Sequence, residues 1–94
     1  MNELTKFLVD SILNEAVEQV TALFGGGFKP PTKGHLDVIL NGLKQNPEIN
    51  KLKIIVGGGE RDGVTQDQAA EIWNFYNDIN LIPISDVEII KASP

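Results

Sequence analysis

The chain has 94 residues, of which 41% are apolar, and a formal net charge of −5. That length is enough for one small globular domain with a single core. The absence of cysteine excludes disulfides and thiolate catalysis, and a single histidine excludes a multi-histidine metal site. The acidic balance excludes a protein that coats nucleic acid, although a local cluster of amides, lysine and histidine can still bind one nucleotide.

No apolar run approaches the roughly 20 residues that a membrane span requires. The N-terminal apolar residues are interrupted by Glu3 and Asp10, which argues against a signal peptide. We therefore expect no membrane partner, no nucleic-acid partner and a cytoplasmic location.

Residues 1–19 form the first predicted unit, an amphipathic helix. Its apolar side chains recur at spacings of three and four residues. They include Leu4, Phe7, Leu8, Ile12 and Ala16. Two roles stay open for this helix: packing on the body of the domain, or binding a partner.

A short buried strand is predicted over Val20–Phe24, followed by a glycine-rich loop that begins with Gly25-Gly26-Gly27. Thr32 is well placed to cap the next helix. That helix has one apolar face and ends at Asn46-Pro47. The face is made by Leu36, Ile39, Leu40 and Leu43.

The second strand is predicted over Lys51–Val56, and its continuous apolar run suits a parallel strand covered on both faces. A second glycine loop, Gly57–Gly63, follows. Thr65 and Gln68 then make a capping-box pattern. The next helical stripe is Ala69, Ile72, Trp73 and Tyr76, and it precedes a loop over 80–86 and a third strand over Val87–Ile90.

Strand-helix-strand-helix-strand predicts an α/β fold with right-handed crossovers and a Rossmann-like parallel sheet of order 3-2-1, half of a doubly wound domain. Both glycine loops would lie at the carboxyl edge, where such folds bind ligands. The first strand would be an exposed edge, because no fourth strand follows in the sequence. Pairing across that edge would give a homodimer.

Two common phosphate motifs fail in the first glycine loop. A P-loop needs a glycine, four residues and then Gly-Lys-[Ser/Thr], which does not occur, and a dinucleotide fingerprint needs glycine where Pro30 stands. Gly25 to His35 instead resembles the signature G-[ST]-F-[DN]-P-x-[HT]-x-G-H of the nucleotidyltransferase superfamily of α/β phosphodiesterases, also called cytidylyltransferase-like. The residues that match are Phe28, Pro30, Thr32, Gly34 and His35.

The T-x-G-H form resembles pantetheine-phosphate adenylyltransferases more than the H-x-G-H form of nicotinamide or cholinephosphate enzymes. Gly27 departs from the usual Ser or Thr, and Lys29 from the usual Asp or Asn. The family's later motif, I-S-[ST]-T-x-[RK], has no match. The resemblance therefore covers roughly the first half of the family domain, and we expect residues 20–94 to be a truncated N-terminal half.

The resemblance implies that His35 contacts nucleotide phosphates and stabilises charge in the transition state, and that Thr32 meets substrate phosphate besides capping its helix. With Lys33, which flanks the loop, these are the candidate catalytic residues. The candidate nucleotide-binding residues are Gly26, Gly27, Phe28, Lys29, Gly34, His35 and Arg61.

Several of these residues have a purely structural alternative. Phe28 and Trp73 are expected in the core, and each loop lysine is expected in solvent unless it neutralises an anionic substrate. Arg61 suits bidentate phosphate contact, and a salt bridge with Glu60, Asp62 or Asp67 is the alternative.

The resemblance implies attack by a phosphate-bearing acceptor on the α-phosphorus of ATP or CTP, with release of pyrophosphate and assistance from Mg²⁺. No carboxylate set has obvious metal-site spacing, so we expect the magnesium to be held by the nucleotide phosphates. A non-catalytic nucleotide-binding or assembly module is the alternative function.

Overall fold

The structure, a computed structural model, describes residues 19–93, and the predicted N-terminal helix lies outside that range. The chain builds a parallel sheet, two helices and a short hairpin. In chain order these elements are β1 (Thr21–Gly26), α1 (Lys33–Gln45), β2 (Lys51–Val56), β3 (Glu60–Arg61), β4 (Val64–Thr65), α2 (Gln66–Asp78) and β5 (Val87–Lys91).

The sheet has three parallel strands in the order β1-β2-β5, which confirms the predicted α/β class and strand order. It is compatible with half of a Rossmann-like domain. The first strand is longer than predicted, because Gly25 pairs with Ile55 and Gly26 with Val56. Ladder hydrogen bonds are made by the backbone, so two residues without side chains extend the strand.

The core lies on one face of this sheet. Alternate residues of β2 are buried, namely Leu52, Ile54 and Val56. Both helices contribute to the same cluster, α1 through Leu36 and Ile39 and α2 through Ala69, Ala70 and Trp73. Two right-handed crossovers that step in the same direction across a sheet place both helices on one side.

The prediction that β2 is covered on both faces is not met by residues 19–93. The second face carries Lys51, Lys53 and Ile55, all half-buried, and neither described helix packs there. On β1 the same face presents Leu23, which is 67% exposed. In the described part of the chain β1 is also the edge of the sheet, as predicted.

Both predicted helix caps are present. Thr32 caps α1 in a capping box with His35, and Thr65 caps α2 in a capping box with Gln68. In each box the cap hydroxyl faces a backbone N–H of the first turn, and the side chain three residues later accepts from the backbone N–H of the cap. The caps fix where each glycine loop ends.

The second glycine loop contains a hairpin that the sequence analysis did not predict. β3 and β4 pair antiparallel across a two-residue turn, Asp62-Gly63, whose φ angles are 54° and 82°. Positive φ at both positions defines a type I′ turn, for which Asp-Gly is a strong sequence signal. The Asp62-Gly63 dipeptide is the sequence feature that indicates this hairpin.

Among residues 19–93, no helix combines the length and the apolarity needed to cross a bilayer.

Lys51 on β2 makes an ion pair that ties the start of two strands. Its Nζ lies 3.0 Å from Asp86 Oδ1 and 3.6 Å from Glu88 Oε1. The hydrogen bond to Asp86 raises the pKa of Lys51 above its usual 10.5, the charges of both carboxylates add to the rise, and desolvation opposes it.

Because the folded-state pKa is raised, the stability from this pair is complete below pH 10.5 and is lost as pH rises through the folded value. We expect Lys51→Met to lower the melting temperature at pH 7, and the difference from wild type to shrink above pH 10.5. Circular dichroism melts across that range would measure this. Lys53→Met, on the same face of β2, is the control, and a difference that stays constant with pH would contradict the assignment.

Candidate functional site

The site is built where β1 and β2 end. Both strands finish at the same edge of the sheet, because they are parallel neighbours, and Gly57 N donates to Gly26 O at 2.8 Å directly beyond their last pair. A Cβ at position 57 would lie 3.4 Å from that same oxygen. A side chain at position 57 would therefore lie in close contact with the end of β1.

Two clefts open beside this junction. The larger has a volume of about 520 Å³, and the smaller, of about 310 Å³, lies between the two glycine loops. Gly27, Lys29 and Arg61 line both. The larger cleft is lined by Phe24, Gly25, Gly26, Gly27, Phe28, Lys29, Pro30, Thr32, His35, Val38 and Arg61.

Phe28 anchors the first glycine loop in the core. Its ring is buried, as predicted, and packs edge-on against Trp73 and His35 at centroid distances of 5.1 and 5.0 Å. Its backbone is left-handed, with φ 54°. A bulky residue in that region costs roughly 1–3 kcal/mol, and the aromatic packing offsets part of that cost.

His35 is fixed by its own helix cap. Thr32 N donates to Nδ1 at 2.9 Å, and Thr32 Oγ1 lies 3.1 Å from the same nitrogen. Because a donor faces Nδ1, the neutral ring carries its hydrogen on Nε2. His35 lines the larger cleft, so Nε2 is the nitrogen left to donate to a ligand there.

Lys29 is buried, so the prediction of a solvated lysine is wrong. The residue is only 8% exposed, and Nζ donates to Gly27 O at 2.7 Å and to Gly57 O at 3.0 Å. The lysine therefore joins the two glycine loops from beneath. The peptide bond from Lys29 to Pro30 is cis.

Arg61, on the hairpin strand β3, reaches across to the first loop. Its guanidinium lies close to Gly27, where a Cβ would be 3.8 Å from one terminal nitrogen. The alternative salt bridge with Asp67 is not formed, because Asp67 accepts from Lys91 at 3.0 Å. Within the described residues Arg61 makes no ion pair with Glu60 or Asp62 either. It lines both clefts.

Two predicted site residues are not among those that line the clefts. Lys33 is exposed and pairs with Asp37, one turn further along α1, at 2.9 Å. Gly34 lies in the first turn of α1, where an added Cβ would be 3.6 Å from Thr32 Oγ1. The structure thus brings together Gly26, Gly27, Phe28, Lys29, Thr32, His35 and Arg61.

Two residues that were not predicted at the site, Tyr76 and Gln66, fix backbone segments that adjoin it. Tyr76 on α2 donates its hydroxyl to Pro31 O at 3.1 Å, which ties the end of the first loop to the second helix. Gln66 Nε2 donates to Val56 O at 3.0 Å and to Ala92 O at 2.8 Å, which joins the ends of β2 and β5. These three bonds join residues that are 10, 26 and 45 positions apart, and no local pattern indicates them.

The charged residues that line the larger cleft are Lys29 and Arg61, and no carboxylate lines it in the described structure. Glu60 lines the smaller cleft. Over residues 19–93 no three His, Cys, Asp or Glu side chains come together as a metal-binding group. The larger cleft therefore combines two cations with glycine backbone and apolar side chains, on a protein whose net charge is −5.

Comparison with known proteins found no matching family model, no matching curated protein and no matching solved structure.

Gly26 is required by the Phe28 ring. An added Cβ at position 26 would lie 3.0 Å from two ring atoms, whereas one at position 25 meets nothing closer than 3.8 Å. Because the ring is buried, Gly26→Ala should destabilise the domain by roughly 1–3 kcal/mol. Gly25→Ala should leave stability nearly unchanged. Urea unfolding of both variants would measure the difference, and equal stabilities would show that the ring has room to move.

Proposed function

We propose that this chain is a nucleotidyltransferase-type domain. It binds a nucleoside triphosphate, ATP or CTP, at the junction of β1 and α1 and transfers the nucleotidyl group to a phosphate-bearing acceptor, with release of pyrophosphate. The resemblance of Gly25 to His35 to the superfamily signature supports the reaction class, and the cleft supports anion binding.

One observation carries the proposal. The only charged side chains that line the larger cleft of the described structure are two cations, Lys29 and Arg61, although the chain as a whole has a net charge of −5. Glycine backbone, the N-terminus of α1 and His35 complete the wall. Such a concentration of donors and positive charge favours a polyphosphate ligand.

The chain's groups suit positioning and charge stabilisation rather than covalent catalysis. His35 is hydrogen-bonded to Thr32, and within residues 19–93 no acidic side chain is hydrogen-bonded to it that would orient it as a base for a nucleophile. Its Nε2–H donor is preorganised by the helix cap and needs no reorganisation when charge develops on a phosphate oxygen. Thr32 serves mainly as the cap, and Lys33 acts only through its charge near the helix start.

In the proposed reaction an acceptor phosphate oxygen attacks the α-phosphorus. The new bond joins that oxygen to the α-phosphorus, and the bond from the α-phosphorus to the bridging oxygen of the β-phosphate breaks. Pyrophosphate leaves with the electron pair. His35, Arg61 and Lys29 would offset the negative charge on the transferred and departing groups.

The described residues of the cleft do not fit a magnesium ion held by the protein, because no carboxylate lines the larger cleft. Mg²⁺ is therefore proposed as part of the substrate, bound to the nucleotide phosphates. A cytoplasmic location and a homodimer that pairs across the β1 edge stay predictions beside this proposal.

A non-catalytic nucleotide-binding or assembly module is the second candidate. The sequence lacks a match to the I-S-[ST]-T-x-[RK] motif that grips the triphosphate in the resembled family. Binding of ATP or CTP without pyrophosphate release would favour this candidate over the transferase.

His35→Gln separates the ligand contact from the helix cap. Glutamine at this place of a capping box can still accept from Thr32 N, as Gln68 does from Thr65 N at 3.0 Å in α2. Its amide N–H₂ lies on a flexible side chain without the ring contact to Phe28, so the ligand loses the preorganised ring donor. We expect the melting temperature to stay near wild type and nucleotide affinity to fall about 10- to 100-fold, the size of one hydrogen bond to a charged group. Calorimetric titration with ATP and CTP, followed by an assay of pyrophosphate release, would measure this.

Gln68→Ala is the matched control. It removes the same kind of cap from α2, so it should lower stability by about 1 kcal/mol and leave nucleotide affinity unchanged. His35→Ala should show both effects, because the cap bond and the ligand contact are lost together. Nucleotide binding that is unaffected by His35→Gln would contradict the proposed role of His35.

A further inference from the structure

Lys29 is an unusual residue in this domain. Among the described polar and charged residues that make up the buried class it stands alone, with 8% of its surface exposed. Its Nζ has two acceptors, Gly27 O and Gly57 O, which are both neutral carbonyls. No carboxylate forms an ion pair with it in residues 19–93.

A buried ammonium without a counter-charge is costly, since the two carbonyl dipoles replace only part of its hydration. An ammonium has three N–H donors, and two of them are used here. Lys29 nevertheless lies in the wall of both clefts. The domain therefore keeps an incompletely paired positive charge at the point where the clefts meet.

The neighbouring charged groups do not supply the missing partner. Arg61 lines the same two clefts and has the same sign, so it adds to the positive charge. Glu60 lines the smaller cleft but makes no ion pair with Lys29. Lys29 and Arg61 are thus the two cations in the lining of each cleft.

We infer that Lys29 is the buried half of an ion pair whose other half is a phosphate group of the bound substrate. Only the identity of the ligand rests on the proposed function. The resembled family pattern has Asp or Asn at this place, so lysine reverses the local charge and favours ligands that carry several negative charges. Because Nζ also holds the carbonyls of Gly27 and Gly57, anion binding and the spacing of the two loops are coupled.

The test is a thermal melt of the full chain with sodium tripolyphosphate as the probe, at matched ionic strength. For wild type, a concentration about 100-fold above Kd should raise the melting temperature on the order of 10 °C. Lys29→Gln keeps N–H donors on a side chain one bond shorter but loses the charge. Its affinity should fall about 100-fold, so most of the rise should disappear at the same concentration.

Lys44→Gln is the matched control, because it removes one lysine charge at an exposed position in the last turn of α1, which does not line the clefts. It should keep the rise of the wild type. Lys29→Arg retains the charge and the N–H donors, so it should show at least half of the wild-type rise in melting temperature. If Lys29 only held the two loops together, Lys29→Gln would change the melting temperature measured without tripolyphosphate and leave the rise with tripolyphosphate intact.

Two outcomes of the thermal melts would overturn the inference, and only the second would also overturn the proposed nucleotide site. If folded Lys29→Gln shows the full rise, Lys29 does not pair with the anion, and the proposed nucleotide site stands. If wild type shows no rise, the proposed site falls as well. If Lys29→Gln does not fold, ¹⁵N-lysine spectra of wild type decide, with Lys29→Arg used to assign the signal. A Lys29 ammonium signal that moves with tripolyphosphate supports the pair, and an unmoved signal overturns it.

Discussion

The junction between the ends of β1 and β2 is the constraint on which the rest of this domain depends. Gly57 N donates to Gly26 O at 2.8 Å, and Lys29 Nζ bridges Gly27 O and Gly57 O beneath it. These bonds hold two glycine loops side by side at the carboxyl edge of a parallel sheet. From that junction the first loop passes through Phe28, which has a left-handed backbone, and ends at the start of α1. The larger cleft lies along this path.

The same region concentrates features that oppose stability. A buried ammonium without a carboxylate and a phenylalanine in the left-handed region each cost free energy. The aromatic contacts of Phe28 and the capping box of α1 offset part of that cost. Strain and unpaired charge of this kind gather where a protein is preorganised for a ligand. The proposed polyphosphate ligand would supply the counter-charge that the described residues lack.

His35 shows why a ligand contact and a structural role need not be alternatives. Nδ1 completes the cap of α1, and Nε2 is left for the cleft. His35→Ala would therefore remove part of a helix cap together with the ligand contact. Gln68 at the same place of α2 performs the cap alone, which gives the domain an internal reference for separating the two roles.

The sequence by itself determined the α/β class, the strand order and both helix caps, because apolar periodicity and capping residues act over a few neighbouring positions. It also identified most of the residues that line the larger cleft, through the glycine-rich motif and its resemblance to a known signature. Only the tertiary structure decided that Lys29 is buried while Lys33 is not. Lys29 Nζ reaches the carbonyl of Gly57 in the second glycine loop, whereas Lys33 pairs with Asp37 on its own helix. Contacts such as Tyr76 to Pro31 likewise join residues far apart in sequence, and no local pattern encodes them.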